Sequence, residues 1–230
     1  MSPIRWPGSL TCLMCGKPIR GSYLSDWNGN AVCADHTADT IPRCVSCHRF
    51  CDPRQSTPLS HGAYLCPICC SDVVNRQTAA AIVSYIRRAY IKAGLGEIKN
   101  WRLKVTDLDT MYNRHGNINV RGYASNFCGN YEVYVLRHLS RVAFANVLAH
   151  ELLHIWQFNH HLDPIPPLCE GFCNMGSYYV LQHIGNDEAH AFMAMHENNT
   201  DPVYGNGFRI VKAAYDHGGW DEARTLLTNK

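Results

Sequence analysis

Ala149-His150-Glu151-Leu152-Leu153-His154-Ile155-Trp156-Gln157-Phe158-Asn159-His160 is the stretch on which the reading of this chain turns. Residues four apart share one face of a helix, so His150 and His154 can grip one metal ion between two imidazoles. Glu151 stands one step round the helix, within reach of a water molecule at that metal without being a ligand. Two imidazoles and a third protein ligand, with one position left open, make the donor set of a hydrolytic zinc centre. Val142, Phe144, Val147, Leu148, Leu152, Ile155 and Trp156 surround the motif with apolar surface. The helix is therefore expected to be buried, and buried histidines need partners.

Two residues compete to be the third ligand. His160 supplies a three-histidine spacing, which requires a sharp turn between the second and third histidine. Gln157 occupies the place of that turn and has no special access to positive φ. Glu170 is the other choice. Asp163-Pro164-Ile165-Pro166-Pro167 stops the first helix, and a second one is expected from near Leu168, carrying Cys169-Glu170-Gly171-Phe172-Cys173-Asn174. A glutamate on a second, antiparallel helix is the gluzincin solution. Asn174 shares a face with Glu170, and its side-chain oxygen can accept the ring N–H of His150 or His154.

Outward from this centre, cysteine usage divides the chain. Nine of the twelve cysteines lie before residue 71. The N-terminus carries no apolar run of signal-peptide length and no stretch approaches a membrane span, so a cytoplasmic protein without a membrane partner is expected. Paired Cys-x-x-Cys units in that setting read as metal sites rather than disulfides. Four pairs share the spacing: Cys12/Cys15, Cys33/His36, Cys44/Cys47 and Cys66/Cys69, with 17 and 18 residues between the pairs of each half. Each half reads as a closed four-ligand zinc site, Cys12, Cys15, Cys33 and His36, then Cys44, Cys47, Cys66 and Cys69. Trp27-Asn28-Gly29-Asn30 and Ser60-His61-Gly62-Ala63 are turn signals at matching places, so each gap is expected to hold a short hairpin. The segment is an internal tandem repeat of about 33 residues. Cys70, Cys51, His48 and His61 are spare donors nearby, read as non-ligands. The pattern resembles a LIM domain, with two departures: a LIM domain places its histidine before the cysteine in the second pair, and it has two residues between its zinc sites where seven separate His36 from Cys44 here. That resemblance implies protein binding rather than catalysis.

Between the two metal-bearing parts, Ser71-Asp72 is expected to cap a packing helix running to about Ala93, with Gly94 and Gly96 ending it. Strand alternation follows in Trp101–Thr106, Ile118–Val120 and Tyr131–Leu136, with a turn over Asn113–Asn117, and predicts a three-stranded antiparallel meander leading into the catalytic helix. An edge of that sheet is expected beside the metal, where an extended substrate adds as a strand. Near the C-terminus, Asn186-Asp187 starts another helix, and Phe208, Ile210, Val211, Ala214 and Tyr215 form a covering helix that Gly218-Gly219 ends. Tyr204 is the candidate donor to a developing oxyanion, with His196 second, and Arg209 pairs with a substrate carboxylate or an internal acid. Cys128, Cys169 and Cys173 are expected to be buried free thiols.

His150-Glu151-x-x-His154 followed by x-Trp156, then Glu170-Gly171-x-Cys173, resembles the plant DA-one family of growth-regulating LIM metallopeptidases. The order of parts matches, and Asp201-Pro202-Val203-Tyr204-Gly205-x-Gly207-Phe208-Arg209 is similar to that family's C-terminal motif. The resemblance spans about residues 12 to 225. It implies cleavage of protein substrates at a gluzincin-type site with Glu170 as third ligand. The plant proteins carry ubiquitin-interacting motifs ahead of the LIM domain. This chain has eleven residues before Cys12, which suggests a minimal, bacterial relative and leaves ubiquitin open as a partner.

The expectation is thus an α+β protein: a LIM-like double zinc module over residues 1–71, then a metallopeptidase domain over 72–230 whose first segment, 72–96, is the packing helix. It would hold three zinc ions, one catalytic and two structural. Net charge is +2 and basic residues are spread thinly, which ranks nucleic-acid partners, and a DNA-associated zinc protease, low. A non-catalytic adaptor built on the same zinc module is the other rival, and the presence of Glu151 speaks against it.

Overall fold

Two tight Cys-x-x-Cys turns set the geometry of the N-terminal part of the structure. The Cys12 N–H bonds the Lys17 carbonyl and the Gly16 N–H bonds that of Cys12. In the second half the Cys44 N–H bonds Arg49 and the His48 N–H bonds Cys44. Both turns pass through the left-handed region, at Gly16 (φ 72°) and His48 (φ 64°). Each is followed by a short antiparallel hairpin, β1 (Tyr23–Ser25) with β2 (Ala31–Cys33), and β3 (Thr57–Pro58) with β4 (Tyr64–Leu65). The hairpin turns fall at the two signals read from sequence, with Gly29, His61 and Gly62 at positive φ. The return strands aim the N–H groups of Cys33 and Cys66 at the sulfurs of Cys12 and Cys44, each at 3.4 Å. The repeat in sequence is therefore a repeat in backbone bonding. Asp26 joins the halves by accepting the N–H groups of Asn28, Asn30 and Phe50. The Trp27 indole donates to the Cys47 carbonyl at 2.7 Å.

This computed structural model describes residues 10–228 and falls into two compact units, one reaching to Val73 with His138–Ser140 added, the other comprising the rest. The Cys-rich segment closes with a short helix, α1 (Pro67–Ser71), capped by Cys66, whose sulfur accepts the Cys69 N–H. Its apolar core is small, built on Ile19, Val32, Ile41 and Phe50.

The second unit is mixed α and β. Helix α2 (Arg76–Lys92) is capped by Asn75 in a reciprocal box with Thr78, not by Ser71-Asp72, because Pro67–Ser71 is taken up by α1. Gly94 and Gly96, both at positive φ, end it as expected. The strands are β5 (Trp101–Thr106), β6 (Gly122–Phe127) and β7 (Asn130–Leu136), in the order β5-β7-β6. The antiparallel meander is corrected: β5 runs parallel to β7, and only β6 is antiparallel to it. Between β5 and β7 the chain passes through a helix absent from the sequence reading, α3 (Leu108–His115), and returns along β6. Asp107 caps α3, Leu108 and Met111 bury its inner face, and Gly116 ends it in the left-handed region. Ile118–Val120 lies in a turn rather than a strand, with the Val120 N–H on the Asn117 carbonyl. Val133 and Val135 of the central strand are fully buried.

Four helices complete the unit: α4 (Arg141–Asn159), α5 (Pro166–Ile184), α6 (Asp187–Glu197) and α7 (Tyr204–Thr228). Asn186 caps α6, and α7 breaks at Gly218 and Gly219 before a last segment that buries Trp220, Ala223 and Leu227. Phe144, Leu148, Leu152, Phe172, Val180 and Phe208 form the centre of the core. Helices α5 and α7 cross so closely that a Cβ added to Gly171 would fall on the backbone of Gly207, and one added to Gly207 on the carbonyl of Pro167. The sequence segments Glu170-Gly171 and Tyr204-Gly205-x-Gly207 are thus the two sides of one helix crossing.

Candidate metal centre

Among the described residues, three places gather side chains that could hold a metal ion, two of them in the first unit. Cys12, Cys15, Cys33 and His36 form one group and Cys44, Cys47, Cys66 and Cys69 the other, with the donor atoms of each within 4.8 Å of one another. Thiolates about 2.3 Å from a tetrahedral ion stand about 3.8 Å apart. The Cys15–Cys33 and Cys47–Cys66 sulfurs are 3.8 and 3.7 Å apart. His36 Nε2 is buried without a hydrogen-bond partner in the protein, which suits a metal-ligand atom. Burial alone would raise the Cys12 thiol, but N–H groups of Cys15, Cys33 and Met14 bring it down to about 6. Contacts from Cys47, Cys51, Cys66 and Cys69 hold Cys44 far below its ordinary value. Both groups can hold a metal ion. Cys70 is exposed, with the Thr57 hydroxyl on its sulfur at 3.7 Å, and Cys51 is buried against Cys44 as a fifth sulfur outside the four-donor group.

The third set lies in the second unit, where α4 and α5 pack side by side. Their contacts run in opposite senses: Gln157 meets Cys169 and Cys173, His150 meets Asn174, and Asn146 meets Ser177. The two helices are therefore antiparallel. His150 Nε2 and His154 Nε2 are 3.2 Å apart. Glu170 Oε2 is 3.1 Å from the first and 3.7 Å from the second. Nitrogen and oxygen donors about 2.1 Å from a tetrahedral ion stand about 3.4 Å apart, so these three atoms fit one ion. Glu170 Oε2 is buried and has no hydrogen-bond partner of good geometry, although both rings are this close. Two thiols sit around the same place. Cys173 groups with His150 and His154, and Cys169 with His154 and Glu170. Cys169, however, meets His154 at Nδ1, the nitrogen away from that point.

His160 is elsewhere. Helix α4 continues through Gln157, and the His160 ring stacks on Trp156 at 4.1 Å and bonds that residue's carbonyl. Asn174 Oδ1 is 3.0 Å from His150 Nδ1, and Asn174 Nδ2 donates to the Tyr204 carbonyl at 3.2 Å, tying the ring to the start of α7. Glu151 is 7% exposed beside the two histidines; burial raises its carboxyl, which His150 and His154 counteract. The Ala124 N–H of β6 points to the Glu151 carboxylate. Strand β6 is an edge of the sheet and lies against α4, and Gly122 permits the approach: a Cβ there would strike Val147 and sit 3.1 Å from Glu151 Cγ. Burial, then the carboxylates of Glu170 and Glu151, raise the Tyr204 phenol, which is nevertheless 45% exposed. Asp201 caps its helix by accepting the N–H groups of Val203 and Tyr204. His196 is pushed down to about 3 by burial and His150; its Nε2 is 3.2 Å from Asn146 Oδ1, and its ring packs on Phe208.

Three residues had other expectations. Arg209 bonds the Asn199 carbonyl and Asn206, neither a carboxylate. Cys128 is exposed at the β6–β7 turn rather than buried. Cys169, expected as a bystander thiol, touches a histidine of the candidate centre; the signal was present in its place beside Glu170, but its partner comes from another helix.

Compared with models of known protein families, with characterised proteins and with solved structures, the chain gives no significant match. Among the described residues no helix is long and apolar enough to cross a membrane.

Proposed function

We propose that the chain is a zinc-dependent endopeptidase of the gluzincin type, with a LIM-like module bearing two structural zinc ions. The observation that carries this reading is the convergence of His150 Nε2, His154 Nε2 and Glu170 Oε2 at 3.1 to 3.7 Å, with the buried Glu151 carboxyl one residue along the same helix. A zinc ion held by these three residues supplies Lewis-acid polarisation of a water molecule and of the scissile carbonyl. Glu151 takes the proton of the attacking water and delivers it to the leaving amine. The Ala124 N–H bonds its carboxylate and fixes its orientation. The free edge of β6 offers backbone groups to an extended substrate beside Glu151. Tyr204 is placed in this scheme as the donor to the carbonyl oxygen as charge develops on it. The zinc module presents a protein substrate or partner, and ubiquitin is not required by any part of the scheme.

Two variants test the reading. Elemental analysis is expected to find three zinc ions per chain, falling to two in Glu170→Ala. Glu151→Gln should keep all three and lose peptidase activity about 100-fold or more against an unfolded protein substrate. If Glu170→Ala keeps three and His160→Ala loses one, the ligand assignment is overturned. If wild type holds three zinc ions and cleaves nothing that Glu151→Gln does not, a zinc-stabilised adaptor replaces the peptidase.

A further inference from the structure

The two histidines of the candidate centre are held from behind by different chemistry. His150 has a carbonyl oxygen at its Nδ1, that of Asn174. His154 has a sulfur: Cys169 Sγ lies 3.7 Å from its Nδ1. We infer that Cys169 is the positioning residue of His154, holding the ring in the tautomer whose Nε2 lone pair faces the metal. The inference rests on the metal centre proposed above.

The surrounding hydrogen bonds carry the argument. With Nε2 turned toward Glu170 and His150, the His154 ring proton sits on Nδ1 and has Cys169 Sγ as its acceptor. The Cys169 S–H in turn donates to Gln157 Oε1 at 3.1 Å. The Gln157 Nε2 donates to the Cys169 carbonyl at 3.3 Å and to Cys173 Sγ at 3.2 Å. Gln157 is 2% exposed and Cys173 is fully buried, so this amide has no solvent to turn toward. With the ring proton on Nδ1, every group in the chain has a partner: ring N–H to thiol, thiol to amide oxygen, amide N–H to the second thiol, which also touches Cys169. The order is built by helical spacing. Cys169 and Cys173 are one turn apart on α5, His154 and Gln157 one turn apart on α4, and the two pairs face each other across the helix contact. The sulfur therefore does for His154 what a carboxylate or amide oxygen does for most metal-bound histidines. A sulfur accepts the ring N–H at a longer distance and more softly than oxygen, and it is oxidisable, so the centre's grip on its ion becomes dependent on a thiol that is not itself a ligand.

The test is zinc affinity of the full chain, measured by competition with a chromophoric chelator, for wild type, Cys169→Ala, Cys169→Ser and Glu170→Ala. Nitrogen-15 histidine NMR of the zinc-loaded chain reports the tautomer of His154. Cys169→Ala is expected to bind the weakest zinc ion about 10- to 100-fold less tightly. Cys169→Ser, which still accepts the ring N–H and donates to Gln157, should stay within about threefold of wild type. The His154 Nδ1–H signal should be retained in wild type and the serine variant and broadened by solvent exchange in the alanine variant. Unfolding of the metal-free chain should be the same in all three. Equal affinity of wild type and Cys169→Ala, with zinc lost in Glu170→Ala, overturns this inference alone, as does equal weakening by alanine and serine. Full zinc retention by Glu170→Ala overturns the centre itself, and the inference with it.

Discussion

At the scale of the residue, the candidate centre is decided by which side chain occupies each ring nitrogen. Each histidine presents Nε2 to a common point and gives Nδ1 to a partner from α5. Asn174 holds the more consequential of these links, because its amide also donates to the Tyr204 carbonyl and so joins His150 to the start of α7. Replacing Asn174 with alanine is expected to weaken metal binding at this site by about 10- to 100-fold while the cysteine sites stay full. Zinc competition assays on the variant check this, and unchanged affinity would show that the bond is incidental. Asn174 was legible in the sequence because it stands four residues after Glu170, and helical spacing alone puts both on one face. The Ala124 N–H at Glu151 was not legible, since nothing in Gly122–Phe127 says which strand edge faces α4.

At the scale of the element, glycines set how closely the parts approach. Gly171 and Gly207 let α5 and α7 meet backbone to backbone, which brings Glu170, next to Gly171, under the start of α7. A methyl group there meets backbone rather than a flexible side chain, so it cannot be relieved by a rotamer change. Gly171→Ala is expected to cost about 3 kcal/mol, lowering Tm by roughly 6 to 12 °C in a chain of this size. A scanning calorimetry trace unchanged from wild type would refute the tight crossing. The same reasoning explains the strand that the sequence reading misplaced. Gly122 breaks hydrophobic alternation, yet it begins β6 because only a residue without Cβ fits between Val147, Glu151 and the Tyr134 carbonyl. Helix α3 was missed for the opposite reason: its cap, Asp107, and its terminator, Gly116, were present, but eight polar-rich residues between strands look like a turn.

At the scale of the whole molecule, the two units differ in what holds them together. The second has a continuous apolar core around α4 and α5. The first has a handful of apolar side chains for more than sixty residues, too few to offset the entropy of ordering them. Zinc binding, worth about 10–16 kcal/mol per site in small zinc modules, is expected to supply the difference. Chelation should therefore abolish amide-exchange protection in β1–β4 while α4, α5 and α7 stay protected, measured by hydrogen exchange with and without a strong chelator. Protection of the hairpins in metal-free protein would show that the small core suffices. What the sequence determined by itself is what local geometry controls: Cys-x-x-Cys turns, the doubled spacing of the first unit, and a histidine pair one helical turn apart. These survive any rearrangement of the rest of the chain, because the atoms concerned are joined by a few bonds. Only the tertiary structure decided that Glu170 rather than His160 lies against that pair, that β5 is parallel to β7, and that a thiol stands behind His154. Each of those depends on how closely two separate elements pack, which is a property of the shapes they bury against one another.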